Sequence, residues 1–191
     1  SVDVDYLKEL SSYMTDKLAE LEDLIYQLAG ESFNINSPKQ VAEVLFDKLE
    51  LKSKKKKSRS TSAEILEELA EEYEICEYIL EHRKFSKLKS TYTDALPALI
   101  NKKDGRIHTT FNQALTVTGR LSSSNPNLQN IPIRDENGKE VRKAFIPDEG
   151  ELFFSADYSQ IELRLMAHLS QDKNMVEDFN SGHDIHQATA A

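Results

Sequence analysis

The first part of the chain repeats its apolar side chains at the spacing of a single helical face. They recur at three- and four-residue steps, or at multiples of those steps, and comprise Leu7, Met14, Leu18, Leu21, Ile25 and Leu28. This spacing predicts a long amphipathic helix from Val4 to about Ala29, which Gly30 ends.

Capping signals predict two further helices. Ser37 can cap the second helix, Pro38 suits its first turn, and Gln40 completes a capping box. Thr61 and Glu64 form another capping box, which opens a third helix reaching about residue 82. The periodic positions of this third helix are Leu66, Leu69, Tyr73, Cys76 and Leu80. We interpret its glutamates as a solvated face and Cys76 as a core residue.

Beyond about residue 89, β-branched residues become frequent. Residues 106–111 and 114–118 are rich in them and are separated by Asn112-Gln113, a pattern that predicts a β-hairpin. The stretch from 119 to about 137 is irregular and rich in proline and asparagine. A loop of this length in a compact domain is usually either functional or disordered.

In the C-terminal part of the chain, the pattern of apolar residues predicts one strand and two helices. The apolar run at residues 152–156 follows Gly150 and predicts a strand. A helix begins near Ser159, and its apolar face comprises Ile161, Leu165, Met166 and Leu169. A further helix is predicted over residues 185–191, and because the chain ends inside it, we expect a longer natural protein.

Composition narrows the class of protein. With 39% apolar residues in a chain of 191, there is enough material for a hydrophobic core. No stretch approaches the roughly 18 consecutive apolar residues of a membrane-spanning helix, and no signal-peptide pattern opens the chain. The single cysteine, Cys76, excludes an internal disulfide and suits a reducing compartment. We therefore expect a soluble, cytoplasmic protein that does not bind a membrane.

The distribution of charge matters more than its sum. The formal net charge of −9 argues, by itself, against a nucleic-acid partner. However, six basic residues lie within residues 52–59, ahead of the glutamate-rich third helix. Such a basic tip can still contact a phosphate backbone, although lysine runs are also common in solvated loops. Net charge therefore leaves DNA binding open.

Asp157 ends the strand predicted at residues 152–156 and precedes the helix that begins near Ser159. A carboxylate at the end of a rigid strand is well placed to bind Mg²⁺, which prefers oxygen ligands. Aspartate is also a frequent N-cap residue, so the same position suits helix capping equally well. Spacing alone does not separate a metal ligand from a cap.

The polar loop at residues 116–134 is a second candidate site. Gly119 allows the backbone to approach a ligand closely, and Arg120 and Arg134 can bind phosphates or base edges. The asparagine and glutamine side chains of the loop supply paired donors and acceptors. The alternative is an ordinary polar surface loop.

Three longer sequences then carry a family resemblance. TGRLSSSNPNLQNIPIR, FFSADYSQIELRLMAHLSQD and DIHQATA occur in this order between about residues 118 and 191, and they resemble the polymerase domain of the family A DNA polymerases. An earlier segment, FNINSPKQVAEVLFDKL, resembles the thumb of that family. The resemblance implies an α+β chain with a helical thumb (1–88), a partial antiparallel palm sheet (89–170) and the start of the fingers (171–191).

The resemblance also implies a metal site. Asp157 corresponds to the first catalytic aspartate, which bridges two Mg²⁺ ions, and the Tyr158 carbonyl corresponds to a further metal contact. In the two-metal scheme one ion activates the primer 3′-OH, and the other holds the triphosphate and stabilises the leaving pyrophosphate. Glu162 corresponds to the residue that closes the space of a ribose 2′-OH and so excludes ribonucleotides.

Further residues correspond to family contacts with nucleotide or DNA. The implied contacts with the deoxynucleoside triphosphate are Gln160, Ile161, Glu162 and His186. The implied contacts with primer-template DNA are Arg120, Asn127, Gln129, Asn130 and Arg134. Arg120 corresponds to the arginine that reaches the minor groove at the primer terminus. The implied thumb-tip contacts with the duplex backbone are Lys54, Lys55, Lys56 and Lys57.

A competing interpretation concerns the histidines near the C-terminus. His183, Asp184 and His186 could be metal ligands of a helical phosphohydrolase. The remaining histidines show no ligand spacing, and the resemblance accounts for Asp184 and His186 without a metal. We therefore favour the polymerase interpretation.

Two family elements do not occur in these 191 residues. One is a fingers helix with an arginine, a lysine and a tyrosine, and the other is a His-Asp-Glu turn with the second catalytic aspartate. One aspartate with a backbone carbonyl is a poor two-metal site. We therefore expect a part of a DNA-directed DNA polymerase, acting in replication and repair, that is inactive without the remainder of its chain. The alternative is a catalytically inert module that binds primer-template DNA.

Overall fold

The computed structural model describes residues 1–52, 59–133 and 135–181. The chain divides into two compact units, Ser1–Glu151 and Leu152–Ala191. The helices of the first unit are α1 (Val4–Ala29), α2 (Pro38–Ala42), α3 (Ala63–Ala70), α4 (Glu74–Leu88) and α5 (Glu136–Lys143). Its strands are β1 (Thr110–Asn112) and β2 (Ser122–Ser124), and the second unit contains α6 (Ile161–Ser170) and α7 (Lys173–Ser181). The predicted α+β class is confirmed.

Helix α1 has the bounds that its apolar spacing predicts. The Asp3 carboxylate caps it by accepting a hydrogen bond of 2.9 Å from the Tyr6 amide. At the other end Gly30 adopts a left-handed conformation (φ 73°), and its amide donates to the Tyr26 carbonyl over 2.8 Å. Glycine suits this position because it lacks the β-carbon that disfavours left-handed backbone.

Helix α2 begins as predicted but is short. The Ser37 hydroxyl accepts a hydrogen bond of 3.3 Å from the Gln40 amide, as expected of a cap. The Gln40 side-chain carbonyl accepts instead from the Asn34 amide, over 2.8 Å, so the reciprocal half of the capping box is replaced. The chain then continues as a π-helical segment, Glu43–Lys48.

The single third helix that we predicted is wrong, because α3 and α4 are separate. The Leu69 carbonyl accepts hydrogen bonds from the amides of Glu72 and Tyr73, and Tyr73 is extended (φ −130°). Acidic residues are unfavourable at the C-terminus of one helix and favourable at the N-terminus of the next, which favours a break beside Glu72. The α3 cap is Ser62 rather than Thr61, whose polar groups bind Arg83.

The first unit contains two hydrophobic clusters, and both α1 and α4 contribute to each. One cluster joins the C-terminal half of α1 to α2, α3 and the start of α4, and includes Ile25, Leu45 and Cys76. The other joins the N-terminal half of α1 to the end of α4 and to α5, and includes Leu7, Phe85 and Val141. Because α1 and α4 contribute to both clusters, they connect α2 and α3 with the loop that precedes α5.

The β-hairpin has a different second strand from the predicted one. β1 pairs antiparallel with β2, with Phe111 opposite Ser123, whereas the predicted partner at residues 114–118 lies in an exposed turn. The buried Ser123 hydroxyl is 2.6 Å from the Thr109 hydroxyl and accepts a hydrogen bond from the Leu128 amide. A polar network therefore selects the strand pairing, and β-branched composition does not report it.

The irregular stretch predicted to about residue 137 ends slightly earlier, at α5. The Asp135 carboxylate caps this helix by accepting a hydrogen bond of 3.0 Å from the Gly138 amide. The end of α5 is joined to the start of the chain, where Val2 bridges Phe145 and the Asp3 amide donates to the Ala144 carbonyl.

In the second unit, the strand predicted at residues 152–156 is wrong. Within the described ranges this segment pairs with no other strand, and the side chains of Leu152 and Phe154 are 92% and 91% exposed. A strand requires a partner for its backbone groups, and an apolar run does not supply one. The helix expected near Ser159 is present as α6, whereas α7 was not predicted and the helix expected at 185–191 lies outside the described residues.

Within the part of the chain that the structure describes, no helix is long and apolar enough to cross a membrane.

Candidate active site and nucleic-acid interface

Asp157 lies in the second unit, in the non-helical segment that leads to α6. Its side chain is exposed, and in the described part of the chain no residue forms a hydrogen bond or ion pair with its carboxylate. The N-cap position of α6 is occupied by Gln160, which has a left-handed conformation (φ 53°, ψ 37°) and makes no capping hydrogen bond through its side chain. The capping interpretation of Asp157 is therefore wrong, and its carboxylate is available to a ligand.

Arg164 ties the turn after Asp157 to the two helices of the second unit. Its Nε donates a hydrogen bond of 2.8 Å to the Ser159 carbonyl. Its guanidinium lies over the ring of Phe179 on α7, with 4.6 Å between Cζ and the ring centroid. One side chain thus links the turn, α6 and α7.

The oxygen atoms near Asp157 can supply part of a magnesium site. Mg²⁺ prefers hard oxygen ligands. The Asp157 carboxylate and the Tyr158 carbonyl are two such ligands, on consecutive residues. Among the described residues, no group of three or more His, Cys, Asp or Glu side chains is arranged to hold a metal. These two oxygen atoms can therefore supply two of the ligands of a Mg²⁺ ion, and the other ligands must come from elsewhere.

The residues implied to face the nucleotide continue into the first turn of α6. Tyr158 is 80% exposed, and Ile161 and Glu162 are also exposed. An acidic residue in a first helical turn interacts favourably with the helix dipole, so Glu162 has a structural reason to lie there as well. His186 lies outside the described residues.

Arg120 lies in the first unit, at the end of a tight turn. The Thr116 hydroxyl donates a hydrogen bond of 2.6 Å to the Arg120 carbonyl, and Gly119 has a left-handed conformation (φ 74°). The turn fixes the Arg120 backbone while its side chain stays exposed. The adjacent Leu115 and Val117 are 72% and 104% exposed, so this part of the loop has no apolar cover in the described residues.

Asn127, Gln129 and Asn130 are exposed and lie together before α5. The Asn127 side-chain carbonyl accepts a hydrogen bond of 3.0 Å from the Gln129 amide, which rounds the backbone between them. Asn127 and Asn130 line a cavity of about 430 Å³ together with Lys87 and Tyr92. The structure thus brings three predicted DNA contacts together, whereas Arg134 lies outside the described residues.

Sequence reasoning missed a basic depression at the start of α3. It has a volume of about 620 Å³ and is lined by Lys39, Arg59 and Arg83, by one acidic residue, Glu43, and by the residues at the helix N-terminus. The Arg83 terminal nitrogens donate to the Thr61 carbonyl and to its hydroxyl, the latter over 3.2 Å. No local sequence signal marks this site, because residues distant in the sequence form it.

The ion pair of Arg59 limits how much charge this depression presents. Both terminal nitrogens of Arg59 donate to the Asp47 carboxylate. The hydrogen bond from Arg59 holds the pKa of the Asp47 carboxyl below its usual value. The residues Lys54, Lys55, Lys56 and Lys57 precede Arg59 in the sequence and lie outside the described residues.

Comparisons with known proteins place this architecture in a family. The model of DNA polymerase family A matches residues 4–191. The chain belongs to DNA polymerase family A.

Its relatives include DNA polymerase I of Geobacillus stearothermophilus, which is 53% identical over 99% of this chain. The thermostable DNA polymerase I of Thermus aquaticus is 53% identical over all of it. The chain spans 22% of the length of the first relative and 23% of the second.

A solved structure is also similar. It is described as the POL domain of Pol1 from M. smegmatis in complex with DNA primer-template and dNTP. It superimposes with a TM-score of 0.86 at 44% identity, over 97% of this chain and 33% of that one.

Proposed function

We propose that this chain acts within a DNA-directed DNA polymerase, which transfers deoxynucleotides to a primer under the direction of a template. Membership of DNA polymerase family A supports the reaction class. The observation that carries the proposal is the Asp157 carboxylate, which is exposed and has no partner among the described residues. We propose a cytoplasmic role in replication and repair.

The proposed metal ligands are the Asp157 carboxylate and the Tyr158 carbonyl. A bound Mg²⁺ supplies charge neutralisation at the phosphates and makes the primer 3′-OH more acidic. Two protein oxygens leave the remaining coordination positions to substrate, water and further carboxylates. The Arg164 bond to Ser159 supports a fixed position for the turn that carries both ligands.

On the nucleotide side, the proposed contacts are Gln160, Ile161, Glu162 and His186. Glu162 would lie against C2′ of the incoming deoxynucleoside triphosphate. A hydroxyl at that position would then meet the carboxylate side chain in a space too small for both. The backbone of Glu162 is part of α6, which supports a fixed starting point for this side chain.

On the DNA side, the proposed contacts with the primer-template are Arg120, Asn127, Gln129, Asn130 and Arg134. The minor groove presents a purine N3 and a pyrimidine O2 acceptor at every base pair. Arginine and amide donors that bind these acceptors therefore detect the geometry of a base pair and distinguish little between sequences. The related structure of the M. smegmatis POL domain, by its description, contains primer-template and dNTP, which supports these partners.

We propose that the thumb contacts the duplex backbone through Lys54, Lys55, Lys56 and Lys57. The basic depression at the start of α3 supports this assignment, because Arg59, which closely follows the lysine run in the sequence, lines it together with Lys39 and Arg83. Lysine and arginine contacts with phosphates release counterions, so the binding should weaken steeply with salt. The assignment of residues 1–88 to the thumb, 89–170 to the palm and 171–191 to the fingers is part of the same proposal.

Primer extension and duplex binding together test the proposal. The 191-residue chain should bind a primer-template duplex weakly and incorporate no deoxynucleotide. A chimaeric polymerase, in which this chain replaces the matching segment of the Geobacillus stearothermophilus DNA polymerase I, should extend the primer. If the chain alone extends a primer, its proposed dependence on further polymerase segments is wrong. If the folded chimaera binds duplex but never extends it, the inert DNA-binding alternative is favoured.

A further inference from the structure

The backbone just before Arg134 is held from two sides. Three consecutive carbonyls, those of Asn130, Ile131 and Pro132, each accept a hydrogen bond from the side chain of another element. These bonds tie the backbone of the loop to two other parts of the first unit. The side chains of Asn127, Gln129 and Asn130 remain exposed on the same segment.

The first support is Tyr92, in the π-helical segment Lys89–Thr93 that follows α4. Its hydroxyl donates a hydrogen bond of 2.7 Å to the Asn130 carbonyl. The residue is only 5% exposed and belongs to the second hydrophobic cluster, with Leu88 and Leu96. A tyrosine fixed in a core transmits the rigidity of that core to the carbonyl it binds.

The second support is α5. Arg142 donates from a terminal nitrogen to the Ile131 carbonyl over 3.0 Å and from Nε to the Pro132 carbonyl over 3.2 Å. One turn earlier, the buried Gly138 lies directly against Pro132. The Ile131 side chain, 8% exposed, enters the same hydrophobic cluster as Tyr92.

The consequence concerns the exposed amides. A loop residue loses conformational entropy when it becomes ordered, and a segment that is ordered before binding does not incur that cost again when it meets a ligand. Bonds to three successive carbonyls order the backbone without using any of the exposed side chains. Donor and acceptor groups can then meet the minor groove in a fixed arrangement.

We propose that Tyr92 and Arg142 are positioning residues for primer-template recognition, acting through the backbone of residues 130–132. Neither side chain has to touch DNA for this role. The inference rests on the proposed DNA contacts of Asn127, Gln129 and Asn130. It assigns a recognition function to two side chains that otherwise only connect the loop with α4 and α5.

Tyr92→Phe is the cleanest test, because it removes one hydroxyl and changes no charge. Tyr26→Phe is a matched control: the Tyr26 hydroxyl also donates to a backbone carbonyl, that of Phe33, over 2.9 Å, but in the other hydrophobic cluster. Both variants lose one tyrosine-to-carbonyl hydrogen bond. A purely structural role for Tyr92 therefore predicts the same behaviour from both.

Duplex affinity of the 191-residue chain, at fixed salt, separates the two roles. Tyr92→Phe should raise the dissociation constant about fivefold, the equivalent of about 1 kcal/mol for one hydrogen bond, with the salt dependence unchanged. Amide hydrogen exchange at residues 127–133 should become faster. Tyr26→Phe should change neither quantity.

Arg142→Gln gives a second, independent variant on the other side of the loop. It should accelerate exchange in the same segment, and because exchange is measured without DNA, the lost attraction between Arg142 and phosphates does not enter the result. Equal affinities for Tyr92→Phe and Tyr26→Phe, or unaltered exchange at 127–133 in both loop variants, would overturn the inference. An unaltered chain that binds no duplex at all would instead remove the proposed DNA contacts, and the inference with them.

Discussion

Gly138 lies so close to Pro132 that a β-carbon on Gly138 would be 2.5 Å from the Pro132 β-carbon and 2.9 Å from the Pro132 carbonyl oxygen. Separations below 3.0 Å are essentially never observed for real β-carbons. Glycine is otherwise a poor helix former, so its presence in α5 reflects this close approach. The contact joins the first turn of α5 to the loop with the proposed DNA contacts.

Gly138→Ala should therefore destabilise the chain. Helix propensity alone would favour alanine by about 1 kcal/mol, but overpacking against a rigid proline costs about 1–3 kcal/mol. The difference between these two effects is a fall of up to about 2 kcal/mol in the free energy of unfolding, measured by urea denaturation.

Asn137→Ala is the control for that measurement, because it raises helix propensity at the neighbouring position and only removes atoms. It should leave the free energy of unfolding unchanged or slightly raised. A Gly138→Ala variant as stable as the Asn137→Ala variant would contradict the close contact.

Cys76 should behave as an inert core thiol. Burial raises its pKa to about 12, so it stays protonated in the folded chain at pH 8, and its side chain is fully buried. Reaction with a thiol reagent at pH 8 should therefore proceed only as fast as the chain unfolds. Rapid, stoichiometric labelling in the absence of denaturant would contradict the placement of Cys76 in the first hydrophobic cluster.

The Cys76 thiol also makes the free energy of unfolding depend on pH. The unfolded thiol, with a pKa near 9, loses its proton first, while the folded one keeps it until about pH 12. The contribution of Cys76 to the free energy of unfolding is fully present below pH 9. It is lost as pH rises from about 9 toward 12, because the unfolded state then binds fewer protons than the folded state. Urea titrations between pH 8 and pH 10 should show falling stability, and Cys76→Ala should show a smaller fall.

The lysine run gives a prediction for salt dependence. Changing Lys54, Lys55, Lys56 and Lys57 to glutamine should weaken duplex binding and reduce the slope of log affinity against log salt by about 1 for each lysine in contact. The control changes four lysines elsewhere to glutamine, namely Lys8, Lys17, Lys102 and Lys103. If both quadruple variants lose the same affinity, general charge is responsible and the thumb-tip assignment is wrong.

The helices were predictable where local signals agree with tertiary packing. In α1 the apolar spacing, the length and the terminal Gly30 all favour the same bounds. The break between α3 and α4 was not predictable from spacing, because the three- and four-residue steps continue from Leu69 through Tyr73 to Cys76. In α4, Cys76 is buried as predicted, but Ile75 and Ile79 are buried beside it, whereas the predicted Tyr73 and Leu80 are only partly buried.

The strands were less predictable because strand formation depends on partners. Ser122–Ser124 has none of the β-branched residues typical of strands, and its pairing follows from the hydrogen bonds of one buried hydroxyl, that of Ser123. Conversely, the apolar run at 152–156 has strong strand composition but no neighbouring strand in the described residues. Composition measures a tendency, and pairing decides the outcome.

Asp157 itself was recognisable from the sequences around it, but its surroundings were not. The family resemblance implied that Asp157 is a metal ligand. The structure excludes the alternative that Asp157 caps α6, because Gln160 occupies the N-cap position. The Arg164 contact with Phe179 depends on α7, a helix that the sequence pattern did not predict.

The incorporation rate of the chimaeric polymerase carrying Asp157→Asn tests the central claim most directly. Glu177→Gln makes the same carboxylate-to-amide change on exposed α7 and serves as the control. With saturating Mg²⁺ and deoxynucleotides, Asp157→Asn should lower the rate about a thousandfold, equivalent to about 4 kcal/mol of transition-state stabilisation, while primer-template affinity stays the same. Incorporation by Asp157→Asn at the rate of the Glu177→Gln control would contradict the assignment of Asp157 as a metal-binding carboxylate.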